Sequence, residues 1–392
     1  MTDVTFVFTN PRHHLEMMSP VADELARRGV DVGLVSLAEL RGHDTPRTDA
    51  RIRRALPINL RRRTGEPATA GTASGPRPSS FGALAKRVAW SVLRPRLRQL
   101  IRTSRVVIVP NDAVFPYIEL VAQAHRWGAR TVLMQEGIRF PLPTAYAGPT
   151  YGGAVNAAVC AWGEGSKTYF VASKIRTSLV AVTGAPRLDE LDPGTWAVRG
   201  AELLAHHGLS SAPLAFLSNP IEIQGYGTKE LKLELFRRFL EEAAPQLRAR
   251  GCSVIVKNHL HEDPHDYERV AAASSVAGLV TVVGHATPIF AVLAVARAAV
   301  VLTSTVGLEA LTFGVPLAVL EIPGHDFAFD YVQRDAAIAL RGGQIAAGVA
   351  ELLEASPARR DASQAFVAHH LHDRGRARFH VADVIERVLA AR

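Results

Sequence analysis

The sequence predicts an α/β protein built from two doubly wound, Rossmann-like domains of parallel sheet. Short, largely apolar runs at 4–8, 106–109, 214–217 and 298–302 have the composition of strands buried on both faces, and amphipathic helical stretches alternate with them. The 392 residues exceed what one hydrophobic core supports. Thr183-Gly184-Ala185-Pro186-Arg187-Leu188-Asp189 is a turn between two such alternating regions and marks the expected hinge. The division expected from it is a first domain over 1–184 and a second over 185–374.

Taken in order, 4–8 is a strand, and Asn10-Pro11-Arg12-His13-His14 leads into a helix over 15–28 that stops at Gly29. With the strand at 30–35 this is a βαβ opening without the Gly-x-Gly-x-x-Gly fingerprint, so no dinucleotide cofactor is expected. Residues 42–80 are polar, basic and rich in Pro, Gly, Ser and Thr, and read as a long loop region. A basic amphipathic helix follows over 84–103, which Pro95 should kink or divide. Strand 106–109, helix 115–127, strand 130–134, strand 157–161, helix 166–173 and strand 179–182 complete the first domain. In the second, strands at 214–217, 253–257, 280–283, 298–302 and 316–320 alternate with helices, among them 229–250 and 266–277.

The net charge of +8 is concentrated between Arg47 and Arg105, where arginines and Lys86 meet few acids. Such a patch suits an anionic membrane surface or a polyanionic acceptor; a solvated arginine-rich face is the plain alternative. Nucleic acid is not an expected partner, because aromatic stacking platforms are not interleaved and no helix-turn-helix or zinc pattern appears. Cys160 and Cys252 are far apart and have no metal-ligand spacing, which fits buried thiols in a reducing cytosol. The first residues lack a signal-peptide pattern and no run is long enough to span a bilayer. A cytoplasmic protein, free or peripheral on the inner face of the membrane, is expected.

The most informative stretch runs from Thr303 to Pro316. It reads as a loop and short helix between two buried strands, with Ser304 or Thr305 as N-cap and Gly314 as the stop. Free amides of the first turn, two hydroxyls and a glycine at Gly307 would seat a phosphate, and Glu309 is suited to ribose hydroxyls further out. The position at a strand's carboxyl end is where open α/β sheets bind ligands. Ser304-Thr305-Val306-Gly307-Leu308-Glu309-Ala310-Leu311 with Gly314-Val315-Pro316 resembles the nucleotide-sugar loop of GT-B glycosyltransferases, most closely the capsule-polysaccharide group that includes the Kdo transferases. The resemblance implies two domains facing a central cleft, a nucleotide-sugar donor, phosphate contacts from Ser304 and Thr305, and ribose contacts from Glu309. It also implies that the C-terminal helix, 375–392, packs back on the first domain.

Further elements look like the same superfamily. Lys257-Asn258-His259 is similar to the Lys-x-His-Pro element of capsule-type transferases, with Leu260 in place of proline. Lys257 and His259 would neutralise the leaving phosphate without a metal. His259, His261, Glu262, Asp263 and His265 include enough ligand types for zinc, but their spacing does not match a zinc motif, and no metal is expected. Gln135-Glu136-Gly137-Ile138-Arg139 resembles the Glu-Ala-Gly-Leu-Arg element of non-hydrolysing UDP-N-acetylglucosamine 2-epimerases, one residue short. Glu136 is the favoured general base, with His13 and His14 as the competing or supporting groups. Arg12, Gln135, Arg139, Ser218, Asn219, Gln224 and Tyr226 are candidate substrate contacts, while Arg187 and Asp189 are expected to fix the hinge.

The main functional expectation is a metal-independent glycosyltransferase that moves a sugar, CMP-linked in one reading, to a glycan or lipid-linked glycan acceptor. An epimerase, a CDP-polyol polymerase of teichoic-acid type and a non-catalytic glycan- or nucleotide-binding protein are the alternatives. The Ser304 stretch lacks the Asp-Ser-Gly-Gly pattern of the epimerases, and Val301 stands where a retaining transferase would pair a second glutamate with Glu309.

Overall fold

A computed structural model describes residues 2–57, 80–138, 150–259, 262–327, 329–354 and 356–391, the side chains of 80–85 excepted. The chain forms two compact units, Met1–Leu191 with His369–Arg392, and Asp192–Ala368.

The first unit contains β1 (Val4–Phe8), α1 (His13–Arg27), β2 (Val32–Ser36), β3 (Ile52–Arg54), α2 (Ser80–Ile101), β4 (Val106–Val109), α3 (Tyr117–Arg126), β5 (Arg130–Met134), β6 (Ala158–Ala161), α4 (Glu164–Ala172) and β7 (Val180–Val182), joined by α13 (Ala377–Ala390). Its sheet has the order β3-β2-β1-β4-β5-β6-β7, and every pairing is parallel. Alternate strand residues serve opposite faces. Val4, Phe6, Phe8, Ile108, Val132 and Cys160 pack with α1 and α13, whereas Val7, Val107, Val109, Leu133 and Val159 pack with α2, α3 and α4.

Two local expectations differ from what is found. β3 lies within the stretch read as loop: Ile52, Arg53 and Arg54 pair with Leu34, Val35 and Ser36, so backbone bonds to an open sheet edge hold it, without an apolar run to announce it. α2 continues as one helix through Pro95, with Leu93 and Leu97 buried on its inner side. The part of the expected loop at 58–79, with Arg61, Arg62, Arg63 and Arg77, lies outside the described residues.

The 183–189 turn serves the first unit. Gly184 has φ +85°, and a side chain there would meet the carbonyl of His372 at 2.5 Å, so glycine is required both for conformation and for close approach. The Asp189 carboxylate accepts the amides of Ala377 and Arg378 at 2.9 and 2.7 Å and caps the start of α13. Arg187 pairs with Glu16 of α1 at 3.0 Å.

The second unit comprises α5 (Pro193–His206), β8 (Leu214–Leu217), α6 (Ile221–Gln224), α7 (Lys229–Ala249), β9 (Val254–Lys257), α8 (Pro264–Ala272), β10 (Val280–Val283), α9 (Ile289–Val295), β11 (Ala298–Val301), α10 (Val306–Thr312), β12 (Leu317–Leu320), β13 (Ala337–Leu340), α11 (Ile345–Glu354) and α12 (Pro357–His370), the last running across the boundary with the first unit. The sheet order is β10-β9-β8-β11-β12-β13, again all parallel. Leu214, Phe216, Val254, Val256, Val300 and Leu340 form one core with α7, α8 and α11. α8 ends at Ala272, short of the expected 277. Both sheets therefore have a switch point, β1/β4 in one and β8/β11 in the other, where successive crossovers leave in opposite directions and open a crevice at the carboxyl ends.

Candidate functional site

In the first unit the loops after β1, β4 and β5 meet at the switch point. Asn10 accepts the amides of Arg12 and His13, both at 3.0 Å, and so starts α1 with His13 and His14 in its first turn. The amides of Thr9 and Asn10 both point at His14 Nδ1, each at 3.3 Å, so this nitrogen must present its lone pair. The ring proton then sits on Nε2, which donates to Glu136 Oε2 at 3.2 Å. Asn111 Nδ2 donates to the other carboxylate oxygen at 2.7 Å. Glu136 is thus gripped from two sides while its side chain stays 25% exposed.

The backbone of the same residue is fixed too. His13 Nε2 lies 3.1 Å from the Glu136 carbonyl, and the Glu136 amide donates to the Tyr151 hydroxyl at 3.2 Å. Burial first, then the neighbouring Arg187 and His14, lowers the His13 pKa to about 4 against the opposing pull of Glu136. His13 is therefore neutral near pH 7, and its Nε2 is a donor.

Sequence reasoning singled out Glu136, His13 and His14, and the fold brings them together. It did not find Asn111, Tyr151 or Tyr117, whose hydroxyl lies 3.3 Å from His14 Nδ1; Asn111 carried a usable signal, since it follows an apolar strand just as Glu136 does. Gln135 departs from its expected role as a substrate contact. It is 1% exposed and braces the loop, donating to the Gly137 carbonyl and Ser166 Oγ and accepting from the Trp162 amide. Arg12 is exposed beside Glu16, and Arg139 lies outside the described residues.

In the second unit, the loops after β8, β9 and β11 are neighbours by strand order. Lys257 ends β9, and its ammonium donates to the Asn258 carbonyl at 2.9 Å; His259 follows, half-buried. The His259 amide donates to Glu262 Oε2 at 2.7 Å, while Tyr267 and Lys232 hold Glu262 Oε1 at 2.7 and 2.6 Å. Ser218 joins the same carboxylate at 2.9 Å. Glu262 is thus an internal anchor, Asp263 caps α8 through the His265 amide, and His265 pairs outward with Glu268. The zinc-like residue set is dispersed among separate tasks; His261 and Leu260 lie outside the described residues.

The Ser304 loop needs four corrections. First, its amides are not all open to a ligand: Val306 donates to Ser304 Oγ at 3.2 Å, Gly307 to the Ser304 carbonyl at 3.3 Å, and Leu308 to the Thr305 carbonyl at 2.9 Å. Second, Gly307 is required by packing, because a Cβ there would meet the Tyr331 ring at 2.8 Å. Third, Glu309 is only 3% exposed, on the inward side of α10 near Tyr331, rather than projecting outward. Fourth, Asn219 and Gln224 face inward to Thr303: Asn219 Nδ2 donates to Thr303 Oγ1 and Gln224 Oε1 at 2.8 Å each. Tyr226 is likewise buried in the core, edge-on to His325. Among the sequence-predicted contacts here, Ser304, Thr305, Lys257 and His259 are half-exposed.

The depressed His13 pKa gives a pH prediction. Unfolded His13 takes up a proton near pH 6.5, whereas folded His13 resists it until about pH 4. The neutral ring's contribution is therefore complete above about pH 6.5 and is lost as pH falls toward 4. Denaturant unfolding between these limits should show a shallower stability-versus-pH slope in His13→Asn than in the natural chain; equal slopes would contradict the assignment.

No protein-family model matches the sequence, and neither does any curated protein. Solved structures do. The UDP-GlcNAc 2-epimerase of Neisseria meningitidis, bound to UDP-GlcNAc, is 13% identical with a TM-score of 0.62, over 99% of this chain and 100% of that one. The wall teichoic acid polymerase TagF gives 11% and 0.58 over 99% and 89%. Anabaena HepE, in complex with UDP and glucose, gives 12% and 0.55 over 100% of both chains. The capsule-polysaccharide likeness rests on the Ser304 and Lys257 stretches alone. At these identities the likeness establishes architecture: the chain has the GT-B fold of two Rossmann-like units.

Proposed function

We propose that this chain is a nucleotide-sugar enzyme, and specifically a metal-independent glycosyltransferase with Glu136 as its general base. The observation that carries this reading is the clamped Glu136 carboxylate at the β1/β4 switch point. Asn111 and the Nε2 proton of His14 bond one oxygen each and so orient the carboxylate for proton transfer. His14 cannot be the base in this arrangement, since Nδ1 faces two amides and Nε2 already carries its proton. It is the positioning group. In the second unit Ser304, Thr305, Lys257 and His259 would hold the nucleotide phosphates, with lysine supplying the charge that a metal supplies elsewhere. The natural carboxylate ligands Glu262 and Asp263 are committed to the fold, which supports a metal-independent route.

The epimerase reading is favoured by one observation, the likeness of the Glu136 loop to the epimerase element, together with the shared fold. One assay separates the readings. Incubation with UDP-GlcNAc alone yields an epimer only from an epimerase. A transferase releases nucleotide only with an acceptor glycan, and a CDP-polyol is consumed only by a polymerase of the TagF kind. Under the transferase reading, Glu136→Gln lowers turnover about 10²- to 10⁴-fold with nucleotide affinity kept, and EDTA leaves activity unchanged. Turnover by Glu136→Gln at the natural rate would refute the base assignment.

The acceptor side of the reading includes an anionic membrane surface. On α2, Val88 and Val92 are 56% and 62% exposed, and Arg87, Arg94, Arg96 and Arg98 are exposed on the same helix. From residue 80 to 105 there is no acid. Each cation near an anionic leaflet contributes about 1 kcal/mol. No helix among the described residues is long and apolar enough to cross a membrane, so adsorption is the mode proposed. Co-sedimentation with phosphatidylglycerol vesicles should exceed that with phosphatidylcholine vesicles and fall in Val92→Asp/Arg96→Glu; equal binding of both vesicle types would count against it.

A further inference from the structure

We propose that Lys232, in the first turn of α7, is a positioning residue for nucleotide binding; the inference rests on the reading that the loops after β8, β9 and β11 hold the nucleotide. Lys232 is 2% exposed and lies on the inner side of a helix whose other buried residues, Leu235, Phe236 and Phe239 among them, are apolar. A lysine in such surroundings is expensive to desolvate unless every proton of its ammonium is used.

Here all three protons have acceptors. Nζ lies 2.6 Å from Glu262 Oε1 and 3.0 Å from each oxygen of Glu222. The two carboxylates belong to different loops. Glu222 is on α6, in the segment after β8, and Glu262 follows β9. Each passes the constraint on. Glu262 Oε2 takes the His259 amide at 2.7 Å, which sets the backbone next to Lys257. α6 also carries Gln224, which bonds Thr303 Oγ1 and Asn219 Nδ2 and so reaches the loop after β11 that leads into Ser304.

One buried cation therefore ties together the loops that follow three adjacent strands, β9, β8 and β11. An apolar residue at 232 could match its contribution to stability, since buried ion pairs are often no better than well-packed hydrophobic side chains. It could not hold Glu222 and Glu262 at a fixed separation. Without the ammonium those carboxylates repel each other, and Lys257, His259 and Ser304 lose their common frame. Displacements of about 1 Å at such a site are enough to cost one to two orders of magnitude in binding or rate.

The test is calorimetric titration of UDP, CDP and CMP into the full chain and three variants. Lys232→Met is nearly isosteric and uncharged. Val349→Ala, on the core side of α11 and away from these loops, controls for loss of stability alone. Glu222→Gln weakens one arm at a partly exposed position and keeps the question open to experiment if Lys232→Met does not fold. The expected result is a loss of nucleotide affinity of about tenfold or more in Lys232→Met and about threefold in Glu222→Gln, with Val349→Ala within about twofold of the natural chain. Equal losses in Lys232→Met and Val349→Ala, or unchanged affinity in Glu222→Gln, would overturn the positioning role while leaving the nucleotide site standing. A natural chain that binds none of the three nucleotides would remove the site and this inference together.

Discussion

Parallel strand direction is the constraint on which the rest depends. Because every strand pair in both sheets is parallel, each connection must cross a face of the sheet, and every loop that leaves a strand's carboxyl end emerges at the same edge. The strand order reverses once in each sheet, between β1 and β4 and between β8 and β11, and the crossovers there diverge to opposite faces. The chain thus has two places where backbone and polar side chains can gather without filling the gap with a helix. Glu136 with its partners occupies the first edge, and the Ser304 and Lys257 loops occupy the second.

The two edges are held in different ways. Around Glu136, Asn111 and His14 in a single tautomer donate to the carboxylate, and the Tyr151 hydroxyl accepts the backbone amide. Asn111 and His14 orient the carboxylate, which suits the general base proposed for it. Around His259 the holding groups are a buried ion pair and its hydrogen-bonded extensions, Lys232, Glu262, Tyr267 and Ser218. Desolvation and the adjacent Glu262 push the Tyr267 hydroxyl well above its usual range, so it remains a donor at any working pH. That network is hydrogen-bonded among its own members, and it leaves Lys257 at its margin.

Much of this was legible in the sequence, for identifiable reasons. Strands buried on both faces announce themselves as apolar runs, so most of both sheets could be read; β3 is held by backbone pairing at an edge and is rich in arginine, and β13 went unread although it is an apolar run. α5 went unread although Asp192 and Pro193 form a recognisable capped start. Glu136, His13, His14, Lys257 and Ser304 could be picked because they follow strands. Their roles could not, because a tautomer depends on which amides face Nδ1, and those amides belong to a turn whose geometry is not in the residue names. Gly307 was read as room for a ligand, whereas its neighbour is Tyr331, remote in sequence. Lys232 sits in Lys-Glu-Leu-Lys-Leu-Glu-Leu, where nothing distinguishes it from the solvated lysine at Lys229.

The central claim is that the second unit binds a nucleotide through the loops at the carboxyl ends of β9 and β11. Thermal unfolding with a panel of CMP, CDP, UDP, GDP and dTDP, on the natural chain and on Lys257→Met, tests it most directly. A nucleotide at a hundred times its dissociation constant should add about 2.7 kcal/mol to the folded state. At least one nucleotide should raise the melting temperature, and Lys257→Met should abolish most of that rise. Melting temperatures that no nucleotide moves, or a shift that survives intact in Lys257→Met, would contradict the claim.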